Sequence, residues 1–392
     1  MDRRLLLGAI AAGWTGTTAA QAASSVADGH ASGYDVAASS NFMPLVPRRP
    51  GDAAPFSTSL DKAALKATSG GWAREVTSRQ LPLATGIAGA HLFLNPGGAR
   101  EMHWHNSVEW AYVLEGACQV TVMDQRGDVE VVNFGPGDLW YFPTGHAHSI
   151  QALGDAPCHA ILAFNDGLYS EHGTFGISDV LSRFSPEMLS RHLGVPAPLL
   201  ASMPQGETYI AQGDVIAVNG PEAQETRPLD AARTHRFQLS GSTPWFDGPG
   251  GTIRVASAAE FPLSTEITGM VTTLKPDAMH VLHWHPDANE WLYVAKGRIR
   301  ASLYMPDKHL GDADLVAGDC AYIPANCVHA IHNIGDADCE IVGVLDSGSY
   351  QESTMADWLA KAPRHLLANN LHLTDEAFRR LASSNRLVIA AG

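Results

Sequence analysis

The sequence predicts an all-β protein that contains two copies of one barrel, each followed by helices. Three observations lead to this fold class. At 392 residues, the chain has the length of two ordinary domains. Short segments rich in β-branched residues alternate with turn signals, as Gln119–Met123 does with Asp124–Gly127. Finally, a His-x-His pattern with a later Glu and a later His occurs once in each half of the chain.

The first 22 residues have the composition of an export signal. Arg3 and Arg4 precede an apolar stretch, Leu5–Ala12, and small residues follow it. The paired arginines resemble a twin-arginine signal, which exports folded proteins, and an ordinary secretory signal is the alternative. The sequence therefore predicts a signal peptide over residues 1–22 and a periplasmic or secreted protein. Residues 23–55, rich in Ala, Ser, Gly and Pro, are predicted to form a linker or arm.

The repeat places one barrel in each half of the chain. We predict a first barrel with its helices over residues 56–200, a linker over 201–235 and a second barrel with its helices over 236–392. Because the recurring unit has the size of a domain, we interpret it as a duplication and not as an array of short repeats. Apolar residues at helical spacing predict the helical extensions over residues 177–200 and 355–381.

Composition and charge exclude several classes of protein. Apolar residues make up 45% of the chain and charged residues 17%, which is typical of a globular protein. The net charge of −15 argues against nucleic acid or an anionic membrane as a partner. Beyond the amino-terminal segment, no apolar run reaches the ~18 residues of a transmembrane helix. The cysteines are odd in number and form no Cys-x-x-Cys pair, so we expect buried thiols at Cys118, Cys158, Cys320, Cys327 and Cys339.

Two sets of potential metal ligands stand at equivalent positions of the two repeats. Alternate residues of a strand face the same side, so His103 and His105 can both point into one barrel. Three imidazoles and one carboxylate leave two positions free on an octahedral divalent cation, which suits Mn or Fe and a bidentate anion better than Zn. A single His-x-His also occurs as a pair of hydrogen-bonded histidines, but two complete sets favour metal. The predicted ligands are His103, His105, Glu109 and His148 in the first barrel, and His283, His285, Glu290 and His329 in the second.

These motifs resemble the cupin superfamily, and specifically the bicupin oxalate decarboxylases. The resemblance extends from about Phe56 to Pro363. It implies a duplicated jelly-roll barrel (a double-stranded β-helix), Mn in each barrel, O2 as a catalytic co-substrate, and conversion of oxalate to formate and CO2. It also implies a homo-oligomer, a trimer or hexamer. The segments that carry the resemblance are Arg100–His105, Glu109–Tyr112, Gly137–Pro143 and His148–Gln151 in the first barrel, and Leu282–Pro286, Glu290–Trp291 and Asn333–Asp336 in the second.

The resemblance implies catalytic roles for Arg100 and Glu171. Arg100 would bind or polarise the substrate carboxylate. Glu171, in a lid over Ser170–Thr174, would deliver the proton that replaces the lost CO2. Strand alternation alone places Arg100 opposite His103, where it would be a surface arginine, so its inward orientation rests on the resemblance. The lid keeps the acid but differs from the family's Ser-Glu-Asn-Ser-Thr at two positions, which leaves the ratio of decarboxylase to oxidase activity open.

The second barrel departs further from the family pattern. His280 stands where the family has an arginine, and Gly343 where it has a glutamate on a late strand. We therefore predict that the second metal is mainly structural and that catalysis occurs in the first barrel. The leading hypothesis is an exported manganese oxalate decarboxylase. The alternatives are an oxalate oxidase that produces CO2 and hydrogen peroxide, an enzyme for another small carboxylate, and a non-catalytic metal-binding bicupin.

Overall fold

A computed structural model of the chain describes residues 55–226, 229–381 and 387–391. The described residues form two β-barrels, each made of two sheets and followed by short helices, which confirms the predicted fold class. The predicted signal peptide, residues 1–22, lies outside the described residues, and so does the predicted arm up to residue 54. Among the described helices, none is both long enough and apolar enough to cross a membrane.

The first half of the chain contributes fourteen strands and three α-helices, in agreement with the predicted alternation of short strands and turns. The strands are β1 (Ser57–Ser59), β2 (Leu65–Thr68), β3 (Gly71–Val76), β4 (Ala88–Leu94), β5 (Gly98–His105), β6 (Glu109–Glu115), β7 (Ala117–Met123), β8 (Val129–Phe134), β9 (Asp138–Phe142), β10 (Ala147–Leu153), β11 (Cys158–Phe164), β12 (Thr174–Gly176), β13 (Ile210–Gln212) and β14 (Arg236–Gln238). The helices are α1 (Tyr169–His172), α2 (Ile177–Ser182) and α3 (Pro186–Leu193).

The second half repeats this order. Its strands are β15 (Phe246–Gly248), β16 (Gly251–Ala256), β17 (Thr268–Leu274), β18 (Met279–Trp284), β19 (Glu290–Lys296), β20 (Arg298–Tyr304), β21 (Leu310–Val316), β22 (Asp319–Ile323), β23 (His329–Asn333), β24 (Cys339–Leu345), β25 (Ser353–Thr354) and β26 (Val388–Ile389). Its helices are α4 (Met355–Lys361), α5 (Arg364–Leu371) and α6 (Asp375–Arg380).

Each barrel consists of a seven-stranded and a six-stranded sheet. The first barrel has the orders β14-β9-β6-β11-β4-β3-β2 and β12-β5-β10-β7-β8, with β13 also pairing with β5. The second has β1-β22-β19-β24-β17-β16-β15 and β21-β20-β23-β18-β25, with β26 also pairing with β18. Two short strands cross between the barrels: β1, which precedes the first barrel, joins a sheet of the second, and β14, which precedes the second barrel, joins a sheet of the first. These two strand pairings link the barrels to each other.

The helical extensions are interrupted by prolines. The stretch over residues 177–200 contains α2, α3 and a 3-10 turn at Ala197–Leu200 instead of one helix. Pro186 opens α3 next to the N-cap Ser185, whose side chain accepts a hydrogen bond from the backbone of Met188, and Gly194 ends the helix in a left-handed conformation. Proline lacks the amide hydrogen that a helix interior needs, which explains the separate segments.

The described residues form three buried apolar clusters: one in each barrel, and one to which both barrels contribute. Two reciprocal contacts dominate the shared core. Trp291 of the second barrel packs on Gly89 of the first, and Trp110 of the first barrel packs on Gly269 of the second. Both tryptophans are fully buried. The duplication thus produces an interface in which each barrel supplies the same knob and the same hole. All five cysteines are free and buried, as the sequence predicted.

We predict that Gly89→Ala destabilises the protein by about 1–3 kcal/mol, the usual cost of overpacking a filled core. An added Cβ would lie 2.0 Å from the Trp291 ring, so the two barrels would have to separate locally. Chemical denaturation of Gly89→Ala and of the control Gly135→Ala measures this effect. A Cβ at Gly135 meets nothing within 4 Å. Equal unfolding midpoints for the two variants would contradict the packing account.

A buried histidine near this interface makes stability depend on pH. Burial, and then His159 and Arg74, lower the pKa of His91 to about 3. The ring lies 2.8 Å from His159 and edge-on to Tyr293 of the second barrel. Between pH 6.5 and 3 the unfolded chain therefore binds a proton at this position that the folded chain does not, and stability falls as the pH falls.

We expect the denaturation midpoint of His91→Phe to depend less on pH between 7 and 4.5 than that of the unmodified protein. The control is His192→Phe, at an exposed position of α3. Equal pH dependence in all three proteins would show that His91 does not carry this proton linkage.

Candidate metal centres

The four predicted ligands of the first barrel converge at one point. His103 and His105 lie on β5 and His148 lies on the neighbouring β10, directly opposite His103. Glu109 is the first residue of β6, which belongs to the facing sheet. The four ligand atoms lie within 4.8 Å of one another, and all four residues are buried.

The second barrel repeats this arrangement. His283 lies on β18 and pairs directly with His329, the first residue of β23. His285 follows β18, and Glu290 opens β19 on the facing sheet. These four ligand atoms also lie within 4.8 Å of one another and are buried. Each barrel therefore contains a buried three-histidine, one-carboxylate metal-binding site.

Backbone carbonyls orient all six imidazoles. Each Nδ1–H donates to a carbonyl oxygen 2.7–2.9 Å away, which fixes the tautomer and turns the Nε2 lone pair toward the site. The pairs are His103 with Glu101, His105 with Ser107, His148 with His146, His283 with Val281, His285 with Gln351, and His329 with Cys327.

The hydrogen bonding of the Nε2 atoms, on the other side of these rings, shows whether a metal fits the site. Within the described part of the chain, Nε2 of His148, His283, His285 and His329 and one oxygen of Glu290 are buried without a hydrogen-bond partner. Buried polar atoms are normally paired, so a cluster of unpaired lone pairs facing one point indicates that a cation fits there. Imidazole and carboxylate donors suit a divalent ion such as Mn, Fe or Zn.

The first-barrel ligands have the protonation states that a metal requires. Burial, and then His148 and Arg100, lower the pKa of His103 well below its usual value. Burial alone would raise the pKa of Glu109, but the neighbouring His105 and His148 outweigh it and lower that pKa well below its usual value. Burial also lowers the pKa of His148. Neutral His103 and His148 therefore face an ionised Glu109 at neutral pH, ready to bind a cation.

Arg100 faces the same interior as the ligands. The four residues of β5 from Arg100 to His103 lie opposite only three residues of β10, from Ile150 to His148. One extra residue therefore forms a β-bulge, which turns Met102 outward, where 62% of it is exposed, and leaves Arg100 buried in the wall. The simple alternation that would have placed Arg100 outside the barrel fails at this bulge.

Tyr209 holds Arg100 in position, a contact that sequence reasoning did not predict. The guanidinium donates to the Tyr209 carbonyl at 2.9 Å and lies 4.3 Å from the centre of its ring. Tyr209 has a left-handed backbone with φ of 64°, held by its own N–H, which donates to Glu101 at 2.7 Å. It belongs to the stretch 201–235 that was predicted as a linker, in which no motif marks its return to β5.

Trp140 is a second contact that sequence reasoning missed. Its Nε1–H donates to Glu109 at 2.8 Å and orients the ligand carboxylate. The residue lies in the middle of β9, so strand alternation from Phe142 would have placed it on the inner face. The second barrel has Ala321 at the same register position, so its Glu290 lacks this support.

A cavity of about 390 Å³ adjoins the first ligand set. Tyr169, the residue before the predicted lid, lies beside it; its ring stacks on Phe164 at 3.7 Å and its hydroxyl donates to Glu75 at 2.7 Å. The backbone of Glu171 lies in α1, and its side chain is outside the described part of the structure. The cavity is lined by His103, His105 and Glu109, together with Arg100, Tyr169, Thr174 and Tyr209.

Comparison with known proteins fits this architecture. The cupin family model matches residues 58–198 and again 237–379. The oxalate decarboxylase OxdC of Bacillus subtilis is 34% identical over 310 residues, which are 78% of each chain. A probable oxalate decarboxylase of Arthroderma benhamiae is 32% identical over 82% of this chain and 80% of its own. The chain is a bicupin of the oxalate decarboxylase family.

Solved structures give the same result for the bicupin as a whole. The oxalate decarboxylase of B. subtilis at pH 4.6 superposes with a TM-score of 0.80 and 31% identity, covering 88% of this chain and 89% of the other. A structure from work on the Mn(II) centres of the same enzyme also has a TM-score of 0.80 and covers 90% of that chain.

The two departures of the second barrel occupy defined places in this bicupin. His280 is buried and stacks on the ligand His283, with ring centres 3.9 Å apart. It pairs with Ile331 across a bulge equivalent to the one at Arg100. Gly343 lies on β24, where a Cβ would be 2.5 Å from the side chain of Met270. Met270 therefore fills the space above this glycine.

We predict that His148→Ala lowers the bound metal from two ions per chain to one, because the remaining first-barrel donors cannot complete the set. Elemental analysis after dialysis against a weak chelator measures the stoichiometry. The exposed variant His192→Ala is the control and should keep two ions. Two ions retained in His148→Ala would mean that this histidine is not a ligand.

Proposed function

We propose that the protein is a manganese- and O2-dependent oxalate decarboxylase that converts oxalate and one proton into formate and CO2. The observation that carries this proposal is the combination in the first barrel of a complete ligand set, a buried arginine and a cavity of about 390 Å³. The relatives with the same double-cupin architecture are oxalate decarboxylases. The reaction is assigned to the first barrel.

The residues of each barrel would hold one Mn ion, two per chain. A bound manganese ion would supply Lewis-acid binding of oxalate and one-electron chemistry with O2. With four protein donors, such an ion would still have coordination positions free for the carboxylate oxygens of a substrate anion.

Arg100 is assigned to substrate binding. Its guanidinium is buried with only 8% of the side chain exposed, so its charge acts on a bound anion through little water. The Tyr209 carbonyl and ring fix its position, and Glu101 lies 3.9 Å from it and offsets part of its charge. Arg100 would therefore orient one carboxylate of oxalate without trapping the product as a tight ion pair.

Glu171 is assigned the proton transfer. Decarboxylation replaces the bond from carbon to CO2 by a C–H bond, so an acid must reach the remaining one-carbon fragment. Glu171 lies on α1, between Tyr169 at the cavity wall and Thr174 on β12. A carboxyl group on such a lid segment can exclude water when the lid closes and protonate the fragment.

We further propose that residues 1–22 direct export to the periplasm or medium, and that the protein assembles as a trimer or hexamer. The paired arginines before an apolar stretch support export, and the family resemblance supports the assembly.

The product balance tests this function. Manganese-loaded protein is incubated with oxalate and O2 at mildly acid pH, and formate and hydrogen peroxide are measured against the oxalate consumed. Formate nearly equal to oxalate is the expected result. Peroxide without formate would identify an oxalate oxidase. No product with manganese bound would identify an enzyme for another carboxylate or a binding protein.

We predict that Glu171→Gln abolishes formate production with unchanged metal content, because the amide cannot donate a proton of comparable acidity. Removal of one general acid typically lowers the rate by about 10²–10⁴-fold. The control is Glu187→Gln on α3, an exposed position. Undiminished formate production by Glu171→Gln would remove this residue from the mechanism.

A further inference from the structure

The second barrel contains a buried carboxylate, Glu352, beside its metal ligands. The side chain of Glu352 is only 1% exposed. One oxygen lies 3.2 Å from Nε2 of His280, and the other accepts a hydrogen bond from the Tyr350 hydroxyl at 2.6 Å. The ligand atoms of Glu352, His280 and His283 lie within 4.8 Å of one another. Since His283 also belongs to the four-ligand set, this carboxylate lies directly beside the second metal site.

A shorter lid places Glu352 there. In the first barrel, Tyr169 precedes Gly176, the partner of His103, by seven residues. In the second, Tyr350 precedes Thr354, the partner of His283, by only four. Counted back from these pairs, Glu352 takes the position of a threonine in the first barrel. That residue, Thr174, lines the first-barrel cavity.

His280, the partner of Glu352, also distinguishes the second barrel from the first. His280 occupies the register position that Arg100 has in the first barrel, since the two pair with Ile331 and Ile150 across equivalent bulges. Arg100 lies 3.9 Å from Glu101 but also lines the first cavity, where a carboxylate from solution can reach it. His280 already faces a carboxylate from its own chain. The second barrel thus carries within its sequence the type of group that the first would take from solution.

The short lid is also fastened to the ligand set. The Gln351 carbonyl accepts the Nδ1–H of the ligand His285 at 2.7 Å, whereas the equivalent His105 donates to Ser107 within its own turn. The Gln351 side chain donates to Asp287 at 3.0 Å. Opening this lid would therefore release a metal ligand from its orienting partner.

Charge supports the same conclusion. Glu290 supplies one negative charge to the second site, and Glu352 supplies another. Two buried carboxylates balance a divalent cation, so an external anion would add an uncompensated charge in a desolvated interior. In the first barrel, Glu109 is the only carboxylate among the ligands, and one positive charge of a divalent ion remains for a substrate anion.

We propose that Glu352 is a built-in counter-anion that occupies the carboxylate position of the second metal site and closes that site to small carboxylate anions. The second barrel then binds metal permanently, and the first alone exchanges anions with solution. The comparison with the first barrel rests on the proposed function, while the role of Glu352 concerns the second site alone.

The test uses full-length chains with manganese in one barrel only. His103→Ala/His105→Ala leaves the second site, and His283→Ala/His285→Ala leaves the first. Mn(II) electron paramagnetic resonance spectra are recorded without O2, before and after addition of oxalate. We expect oxalate to change the first-barrel spectrum and to leave the second-barrel spectrum unchanged. A second-barrel spectrum that responds to oxalate with Glu352 intact would overturn the proposal, and this arm does not depend on the folding of any Glu352 variant.

In the chain with only the second site, Glu352→Ala should make the spectrum respond to oxalate. Glu352→Gln should weaken Mn(II) binding by about tenfold or more, the usual effect of losing a partner next to a metal ligand. Glu376→Gln, at an exposed position of α6, is the matched control and should change neither quantity. A Glu352→Ala spectrum that stays silent, together with unchanged Mn(II) affinity in Glu352→Gln, would contradict the proposal. A silent first-barrel spectrum would count against the proposed function and not against Glu352.

Discussion

Both barrels bury metal-ligand atoms that have no hydrogen-bond partner within the described residues. Backbone carbonyls take the Nδ1–H of all six ligand histidines, and four of the opposite Nε2 atoms have no partner within the described residues. An unsatisfied buried polar group costs about 1–3 kcal/mol, so each barrel is expected to gain stability from a cation at its centre. The strand order brings the ligands together, because the histidines come from one sheet and the carboxylate from the sheet that faces it. Metal binding in each barrel therefore depends on the way its two sheets face each other.

The two barrels have the same types of metal ligand, but different residues surround them. In the first barrel, Trp140 orients Glu109, and Arg100 is held in the cavity wall by Tyr209. In the second, a residue equivalent to Trp140 is absent from the described strand β22, where Ala321 stands. A histidine–glutamate pair fills the space beside the metal ligands there. We propose that the duplication thereby keeps one open site for chemistry and one closed site for structure; reciprocal tryptophan–glycine contacts join the two barrels.

The sequence predicted what depends on local pattern. The duplication, the barrels and all eight ligands follow from alternation within strands and from a motif that recurs in register. The inward orientation of Arg100 depends on a bulge, which adds one residue to one strand and is not visible in an alternating pattern. Tyr209 and the crossing strands β1 and β14 depend on contacts between distant parts of the chain, where no short motif marks the partner. Glu352 depends on a difference of three residues in lid length, which becomes informative only when the strand register is known.

We propose that the first barrel converts oxalate to formate while the second holds its metal without reacting. The most direct measurement is formate production per bound manganese ion by chains with metal in the first barrel only and chains with metal in the second barrel only. We expect chains with metal in the first barrel only to produce formate at about the same rate per first-barrel ion as chains with metal in both barrels. Chains with metal in the second barrel only should produce none. Formate production by the chain with only second-barrel metal would contradict this proposal.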